Sequence, residues 1–555
     1  MRRWMLAVAL GCFLTPALAA PANDAEVARY AEALLRESFP EADAPGMAVL
    51  VARGDHVLYQ GARGAASIEL GIPLSPAQVF RLGSITKQFA AAAVLKLAED
   101  GKLSLDDPLS KFVPGYPGGD KVNVRMLLNH TSGIRSYTDM PGVMDGPIQK
   151  TVTTAQLIDT FKNEKPDFAP GEGWHYNNSG YVLVGAVIEA ASGQPWHAYL
   201  KKSFFDPLGM AHTGYGDEDA AVIPGHVAGY TLANDRWAAA KYLSMTQPHA
   251  AGALVSTVGD LLRWNRAVHE GKVLKADSYR QMITPQGKAV REHYGFGINH
   301  EQLRGEDVLQ HGGGIFGFST HLLYLPQSDV TVAVLYNADS ARPPNIGTDT
   351  AARLLAAKAI GKPYREKKAI PIDAAALREY EGVYRIDKDA ARVLRVVDGK
   401  LTSQRTASPA YVLVPVAKDD FLFEEGLSRM AFERDAAGKV VAMRMFPDDE
   451  GEGDVVRRSD EPMPAERAAA AVAQPALERL VGRYAHQGMV MTVALEGGKL
   501  TTQLAGQPAF ELFAESPVKF FLKVVEATLE FAPGEAPAST VTLRQGGQVI
   551  EFRRE

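Results

Sequence analysis

The amino-acid sequence predicts a mixed α/β (α+β) domain built on one sheet, followed by two copies of a smaller all-β domain. Three observations carry this. Strand-type runs stand at the two ends of the first domain with helix-type periodicity between them, which suggests one sheet made from both ends around a helical insertion. The charged, Pro-containing stretch Gly361–Ile372 (GKPYREKKAIPI) then reads as a linker. Beyond it the chain repeats itself at an offset of 99–100 residues, which means two copies of one domain and not a solenoid.

The elements follow in order. The opening MRRWMLAVALGCFLTPALAA joins a basic start to an apolar run and a small-residue end at Ala17-Leu18-Ala19. Residues 1–19 read as a secretory signal peptide, too short to span a bilayer, so the mature protein is expected across the inner membrane, periplasmic or extracellular. Removing the signal takes away Arg2 and Arg3 and moves the net charge from −6 to −8. A mildly acidic chain without a basic tract is a poor candidate for binding nucleic acid. The single cysteine, Cys12, leaves with the signal, so no disulfide, thiolate nucleophile or cysteine-based metal site is expected in the mature chain. No later run is long and uncharged enough to suggest a membrane span.

Residues 20–365 are assigned to the first domain. Met47–Ala52 and His56–Ala62 read as strands joined by a Gly54-Asp55 turn. From about 85 to 280 the pattern is mainly helical. Strand patterns return at Tyr294–His300, Phe318–Leu325 and Val330–Tyr336, and Gly347–Ile360 reads as a closing helix. The two copies are assigned to 373–458 and 475–555. LREYEGVY (Leu377–Tyr384) matches LERLVGRY (Leu477–Tyr484), GKLTSQ (Gly399–Gln404) matches GKLTTQ (Gly498–Gln503), and PAYVL (Pro409–Leu413) matches PAFEL (Pro508–Leu512). Short β-type runs with Gly and Asp turns make each copy a small barrel or sandwich.

The chemistry concentrates in RLGSITKQFAAAAVLKLAEDG, Arg81–Gly101. If a helix starts at Ser84, residues three apart share a face, so the Ser84 hydroxyl and the Lys87 amine point the same way. The helix N-terminus offers free N–H groups and a positive dipole end to a developing oxyanion. A serine hydroxyl is a weak nucleophile until a base takes its proton, and a lysine can serve if burial lowers its pKa. Ser-x-x-Lys alone is a weak pattern. It recurs at Ser516–Lys519, where no apolar helix follows and a barrel loop is the better reading.

Two further stretches strengthen the first. Tyr176-Asn177-Asn178 stands before a helix expected to run from near Ser179 to Gly193. Its phenol can share protons with Ser84 and Lys87, and its amide can bind both a substrate carbonyl and the lysine. His311-Gly312-Gly313-Gly314 precedes a strand, and its glycines let a backbone approach a ligand closely. A second His-x-Gly, His212-Thr213-Gly214, falls in the helical insertion, where it cannot easily line the sheet edge. No His-Glu-x-x-His run or similar ligand set appears, so neither a metal nor a cofactor is expected.

In this order and context, Ser84-Ile85-Thr86-Lys87, Tyr176-Asn177-Asn178 and His311-Gly312-Gly313 resemble the motifs of the serine β-lactamase and penicillin-recognising superfamily. The likeness is to its class C β-lactamase, esterase and D-aminopeptidase side, over roughly residues 40–360. LLNHTSGI (Leu127–Ile134) and FDPLGM (Phe205–Met210) also resemble family stretches and are read as structural. The resemblance implies a β-lactamase/transpeptidase-like domain: a five-stranded antiparallel sheet flanked by helices, with a helical subdomain. It also implies two lipocalin-like β-barrel domains after it, with a barrel loop reaching over the cleft, as in penicillin-recognising D-aminopeptidases. Ser84 would attack the carbonyl, and Lys87 and Tyr176 would manage its proton. Asn178 would position substrate and lysine, His311 and Gly313 would line the substrate site, and the N–H groups of Ser84 and Gly314 would form the oxyanion hole. Class C β-lactamases carry Lys-Thr-Gly at the third motif. A mostly neutral His311 and a Gly312 without a hydroxyl therefore argue against efficient β-lactam turnover.

The expected function is a secreted serine hydrolase acting on short peptides or amides, with D-residues among the candidates. A carboxylesterase or weak β-lactamase is the alternative on the same scaffold. A peptidoglycan-fragment or penicillin binder with little turnover is the alternative from another class. The expected partner is a small peptide, amide or ester substrate, with the oligomeric state left open.

Overall fold

A computed structural model describes residues 23–555, apart from 141, 145, 217–221, 234, 407, 465–469, 487–488, 505–508, 524, 526, 535 and 546–547. The expected signal peptide lies outside the described residues. Helix α1 (Asp24–Ser38) is followed by the hairpin β1 (Met47–Arg53) and β2 (His56–Arg63). The helices that matter for the site are α2 (Thr86–Glu99), α3 (Asn178–Ser192) and α4 (Val258–His269). The chain then returns as β3 (Asn299–Leu303), β4 (Glu306–Ile315), β5 (Phe318–Leu325) and β6 (Val330–Tyr336), and closes with α5 (Thr348–Ala359).

One antiparallel sheet runs β3-β4-β5-β6-β1-β2, so the late strands meet the early hairpin where Met47 faces Tyr336 and Arg53 faces Val330. Helices cover both faces, and β1 shows why it reads as an unbroken apolar run. Met47, Val49 and Val51 pack toward α1 and α5, while Ala48, Leu50 and Ala52 join the core around α2. Helix α2 lies at the centre of that second core. Every residue from Thr86 to Leu95 is buried, so the helix is apolar on all sides. It ends where Gly101 takes a left-handed φ of 69°.

The sheet has six strands where five were expected, and the extra one is informative. The expected strand Tyr294–His300 is mostly a connection, with only its last two residues in β3. The His311–Gly314 run, expected to precede a strand, lies inside β4. Three successive glycines carry no β propensity, so the sequence gives this strand no signal. Pairing supplies what propensity lacks, with His311 opposite Leu322 and Gly314 opposite Ser319.

Both repeats form nearly closed all-β barrels. In the first, eight strands between Gly382 and Arg457 follow one another, and a bridge from Tyr384 to Arg458 brings the last back to the first. In the second, Phe510–Glu511 and Phe513–Ala514 end the two edges of one sheet, so a single kinked strand at Leu512 closes the ring. The copies share a closing device. Tyr384 donates to the Tyr380 carbonyl at 2.9 Å and Tyr484 to that of Leu480 at 2.7 Å. Arg458 lies over Gly382 and Arg554 over Gly482, where a Cβ would come within 2.6 Å and 2.3 Å of the guanidinium. The second Ser-x-x-Lys is the expected loop, with Ser516 Oγ accepting the Lys519 N–H at 3.1 Å.

The first barrel docks on the sheet domain at the turn between β3 and β4. The guanidinium of Arg304 lies 4.0 Å from the Tyr364 ring centroid and donates to the Asp449 carbonyl at 2.9 Å. Asp449 also pairs with Arg429 at 2.6 Å, and Arg353 of α5 reaches Asp448 at 3.4 Å. This contact sits at the opposite end of β4 from its glycines.

Candidate active site

Ser84 lies in a 3₁₀ turn, Gly83–Ile85, that runs directly into α2. The turn is held from two sides. Thr320 Oγ1 donates to the Leu82 carbonyl at 2.7 Å, and Thr86 Oγ1 accepts from the Leu254 N–H at 3.1 Å. Gly83 has a φ of 55°, and a Cβ there would stand 2.9 Å from the Gly314 nitrogen. A Cβ on Gly313 would fall 2.0 Å from the Leu82 carbonyl oxygen. The two glycine stretches thus let β4 and the serine turn approach to backbone contact.

The Lys87 side chain is fully buried, with Nζ 3.0 Å from Ser84 Oγ, 2.8 Å from Asn178 Oδ1 and 2.9 Å from the Ala251 carbonyl. No carboxylate is among these partners. Burial therefore holds the Lys87 pKa well below its ordinary value. Nζ also sits 4.8 Å from the centroid of the Tyr176 ring. Burial raises the pKa of the Tyr176 phenol, an effect that the neighbouring Ser84 hydroxyl partly offsets.

Helix α3 presents the second motif as its own start. Asn177 caps it, its Oδ1 accepting the Gly180 N–H at 2.7 Å, and Gly193 ends it at φ 70°. Asn178 is the first helical residue. Its amide is oriented by Thr138, whose Oγ1 accepts from Nδ2 at 3.0 Å, while its backbone N–H donates to Ser136 Oγ at 3.2 Å. With Nδ2 so engaged, Oδ1 is the atom left facing the lysine.

The structure brings Ser84, Lys87, Tyr176, Asn178 and Gly314 together, with Gly313 locking β4 behind them. His311 is placed differently from expectation. It is 4% exposed, with Nδ1 2.6 Å from the Gly312 carbonyl and Nε2 3.0 Å from the Tyr294 hydroxyl. Both nitrogens are engaged within the protein, and the ring packs beside Tyr294 and Tyr176. Burial pushes its pKa down to about 3, so it stays neutral. His212 lies away from the cleft, its N–H bonded to Asp260 at 2.9 Å.

Sequence reasoning missed Thr138 and Ser136, which touch Asn178, and Tyr294, which holds His311. It read LLNHTSGI as structural, and His130 explains how the stretch acts. His130 has a φ of 64°, its Nδ1 accepts the Asn177 N–H at 3.1 Å, and its ring packs 4.5 Å from that of Tyr176.

In front of Ser84 opens a cleft of about 200 Å³, lined among others by Tyr137, Met144, Asn178, Leu243, Gly314 and Phe316. All its described lining residues lie between Gly83 and Phe316, so the barrels supply none of them, contrary to the expected barrel loop. A hollow of about 420 Å³, lined by Tyr116, Arg135 and Phe161, contains none of the three motifs. Among the described residues no group of three His, Cys, Asp or Glu side chains is placed to hold a metal ion, and no helix is long and apolar enough to cross a membrane.

Comparison with known proteins agrees with this geometry. Residues 25–357 match the family model described as Beta-lactamase. Penicillin-binding protein 4* of Bacillus subtilis (strain 168) is 29% identical over 62% of this chain and 80% of its own length. The D-aminopeptidase of Gluconobacter oxydans (strain 621H) is 27% identical over 59% of this chain, which spans 61% of that protein. The crystal structure of a D-stereospecific amidohydrolase from Streptomyces sp. superposes with a TM-score of 0.52 at 28% identity, covering 61% of this chain and 98% of that one.

Proposed function

Because this chain belongs to the beta-lactamase family, we propose that it is a serine hydrolase that forms an acyl-enzyme on Ser84 and acts on short peptides or amides. One observation carries the reading. Lys87 Nζ stands between two atoms that only accept hydrogen bonds, Asn178 Oδ1 and the Ala251 carbonyl, and one that can also donate, Ser84 Oγ. As a neutral amine, Lys87 donates to the first two and offers its lone pair to the Ser84 hydroxyl. That is the arrangement of a general base. Tyr176, whose phenol neighbours the same hydroxyl, can carry the proton to the leaving group and later activate water. The Ser84 and Gly314 N–H groups are the proposed oxyanion donors, supported by the close approach of Gly83, the residue before Ser84, to the Gly314 backbone.

The amide and peptide reading leans on the D-aminopeptidase and amidohydrolase relatives. A carboxylesterase is the second reading, favoured by the apolar lining of the cleft. Kinetics on amino-end-blocked amino-acid nitroanilides and nitrophenyl esters separate the two. Both activities should vanish in Ser84→Ala, and full activity in that variant would refute the assignment. With His311 buried and neutral, nitrocefin hydrolysis should be slower than the best amide or ester reaction. Secretion is proposed from residues 1–19 alone.

A further inference from the structure

We propose that the cleft admits only uncharged groups beside the scissile carbonyl, so that the substrates are neutral esters, amides or end-blocked peptides with an apolar acyl group. This rests on Ser84 being the nucleophile. The wall of the cleft is made by Tyr137, Met144, Leu243, Pro248, Ile315 and Phe316, and its polar members, Ser84, Thr138, Asn178 and Gln247, carry no formal charge. Among the described lining residues there is therefore no cation for a carboxylate and no carboxylate for an α-ammonium.

Several described charges near the cleft are engaged elsewhere. Lys87 Nζ is already engaged by Ser84, Asn178 and Ala251, and as a neutral amine it spends both N–H groups on the last two, which leaves none for a substrate anion. The carboxylate of Asp139 lies 3.6 Å from His175, and Asp167 holds Arg135 at 2.7 Å. Asp339 accepts the Gly317 N–H at 2.8 Å and the Ser340 hydroxyl at 2.9 Å. His311 and His130 are buried, with His311 bonded through both nitrogens. An ionised group entering this cleft loses water and gains no charged partner among the described lining residues, whereas an apolar one loses only unfavourable hydration.

Three p-nitrophenyl esters of nearly equal size test this on the full-length protein: the butyrate, the β-alaninate, in which an ammonium replaces the methyl, and the monosuccinate, which ends in a carboxylate. The butyrate is expected to exceed both charged esters in kcat/KM by roughly 100-fold. Charged esters turned over within about threefold of the butyrate, with all turnover lost in Ser84→Ala, would overturn this inference alone. Turnover that survives in Ser84→Ala would overturn the Ser84 reading and this inference with it. If no ester is hydrolysed, the same comparison is read from the rates at which a neutral alkyl fluorophosphonate and its carboxyl-ended counterpart label Ser84. Leu243→Arg should raise the monosuccinate-to-butyrate ratio about tenfold. An unchanged ratio in the folded variant would overturn the placement of the acyl group in this cleft.

Discussion

At the scale of the residue, the site turns on one buried lysine without a carboxylate. If neutral Lys87 is the base, protonation removes its lone pair and activity falls as pH falls. Burial lowers its pKa from the ordinary 10.5. We therefore expect kcat/KM to rise with pH through one ionisation well below that value and then to level off. A limb still climbing through the ordinary lysine range would assign the base elsewhere. Tyr176 shifts the opposite way, so its phenol stays protonated over the same range. Lys87→Met should remove the rising limb and about 10³-fold of kcat. Thr138 acts one step back, through Asn178. Thr138→Val should lower kcat by about tenfold and Thr138→Ser should restore most of it, because only the hydroxyl fixes the amide. Equal rates in both variants would reduce Thr138 to packing. Ser84 and Lys87 were legible in the sequence because residues three apart at a helix mouth must share a face. Thr138 was not, since it lies 40 residues from Asn178 and only the fold brings the two together.

At the scale of the element, the site depends on β4 lying flat against the entry to α2. The glycines of β4 divide the labour unevenly. A Cβ at Gly313 would strike the Leu82 carbonyl and the Thr320 hydroxyl at 2.0 Å and 2.3 Å, whereas one at Gly314 would meet nothing within 4 Å. Gly313→Ala should thus destabilise the domain by about 2–3 kcal/mol and depress activity steeply, while Gly314→Ala should fold like the parent. Thermal melts of the two variants decide, and equal melting temperatures would contradict the packing described. Much of the sheet was readable beforehand: β1, β2, β5 and β6 carry strand-type runs and turn signals. Strand β4 was not, because its chemistry demanded glycines, and glycines erase the pattern by which strands are recognised. The histidine at its head was read as lining the substrate site for the same reason. A motif fixes the residue type, but the register with β5 decides which way it points.

At the scale of the whole molecule, the repeat was visible in the sequence, but the placement of the first barrel was not. Arg304 takes a left-handed φ of 52°, and its side chain is 14% exposed between Tyr364 and Asp449, itself 5% exposed. Asp449 keeps Arg429 when Arg304 is removed, so the loss is the bond to the Asp449 carbonyl and the packing on Tyr364, about 1–3 kcal/mol. Arg304→Ala should therefore hasten proteolysis of the 361–372 linker. The cleft lies at the far end of the ten-residue β4, about 30 Å away at the rise of an extended strand, so kcat/KM on a small ester should change less than about threefold. A large kinetic loss with an intact linker would mean that the barrel acts on the cleft after all. The account as a whole stands on Ser84 as the acylated nucleophile. Treatment with a fluorophosphonate, followed by peptide mapping by mass spectrometry, should find one adduct, on Ser84, formed far more slowly in Lys87→Met. An adduct on any other residue, or undiminished labelling of Ser84→Ala, would contradict it.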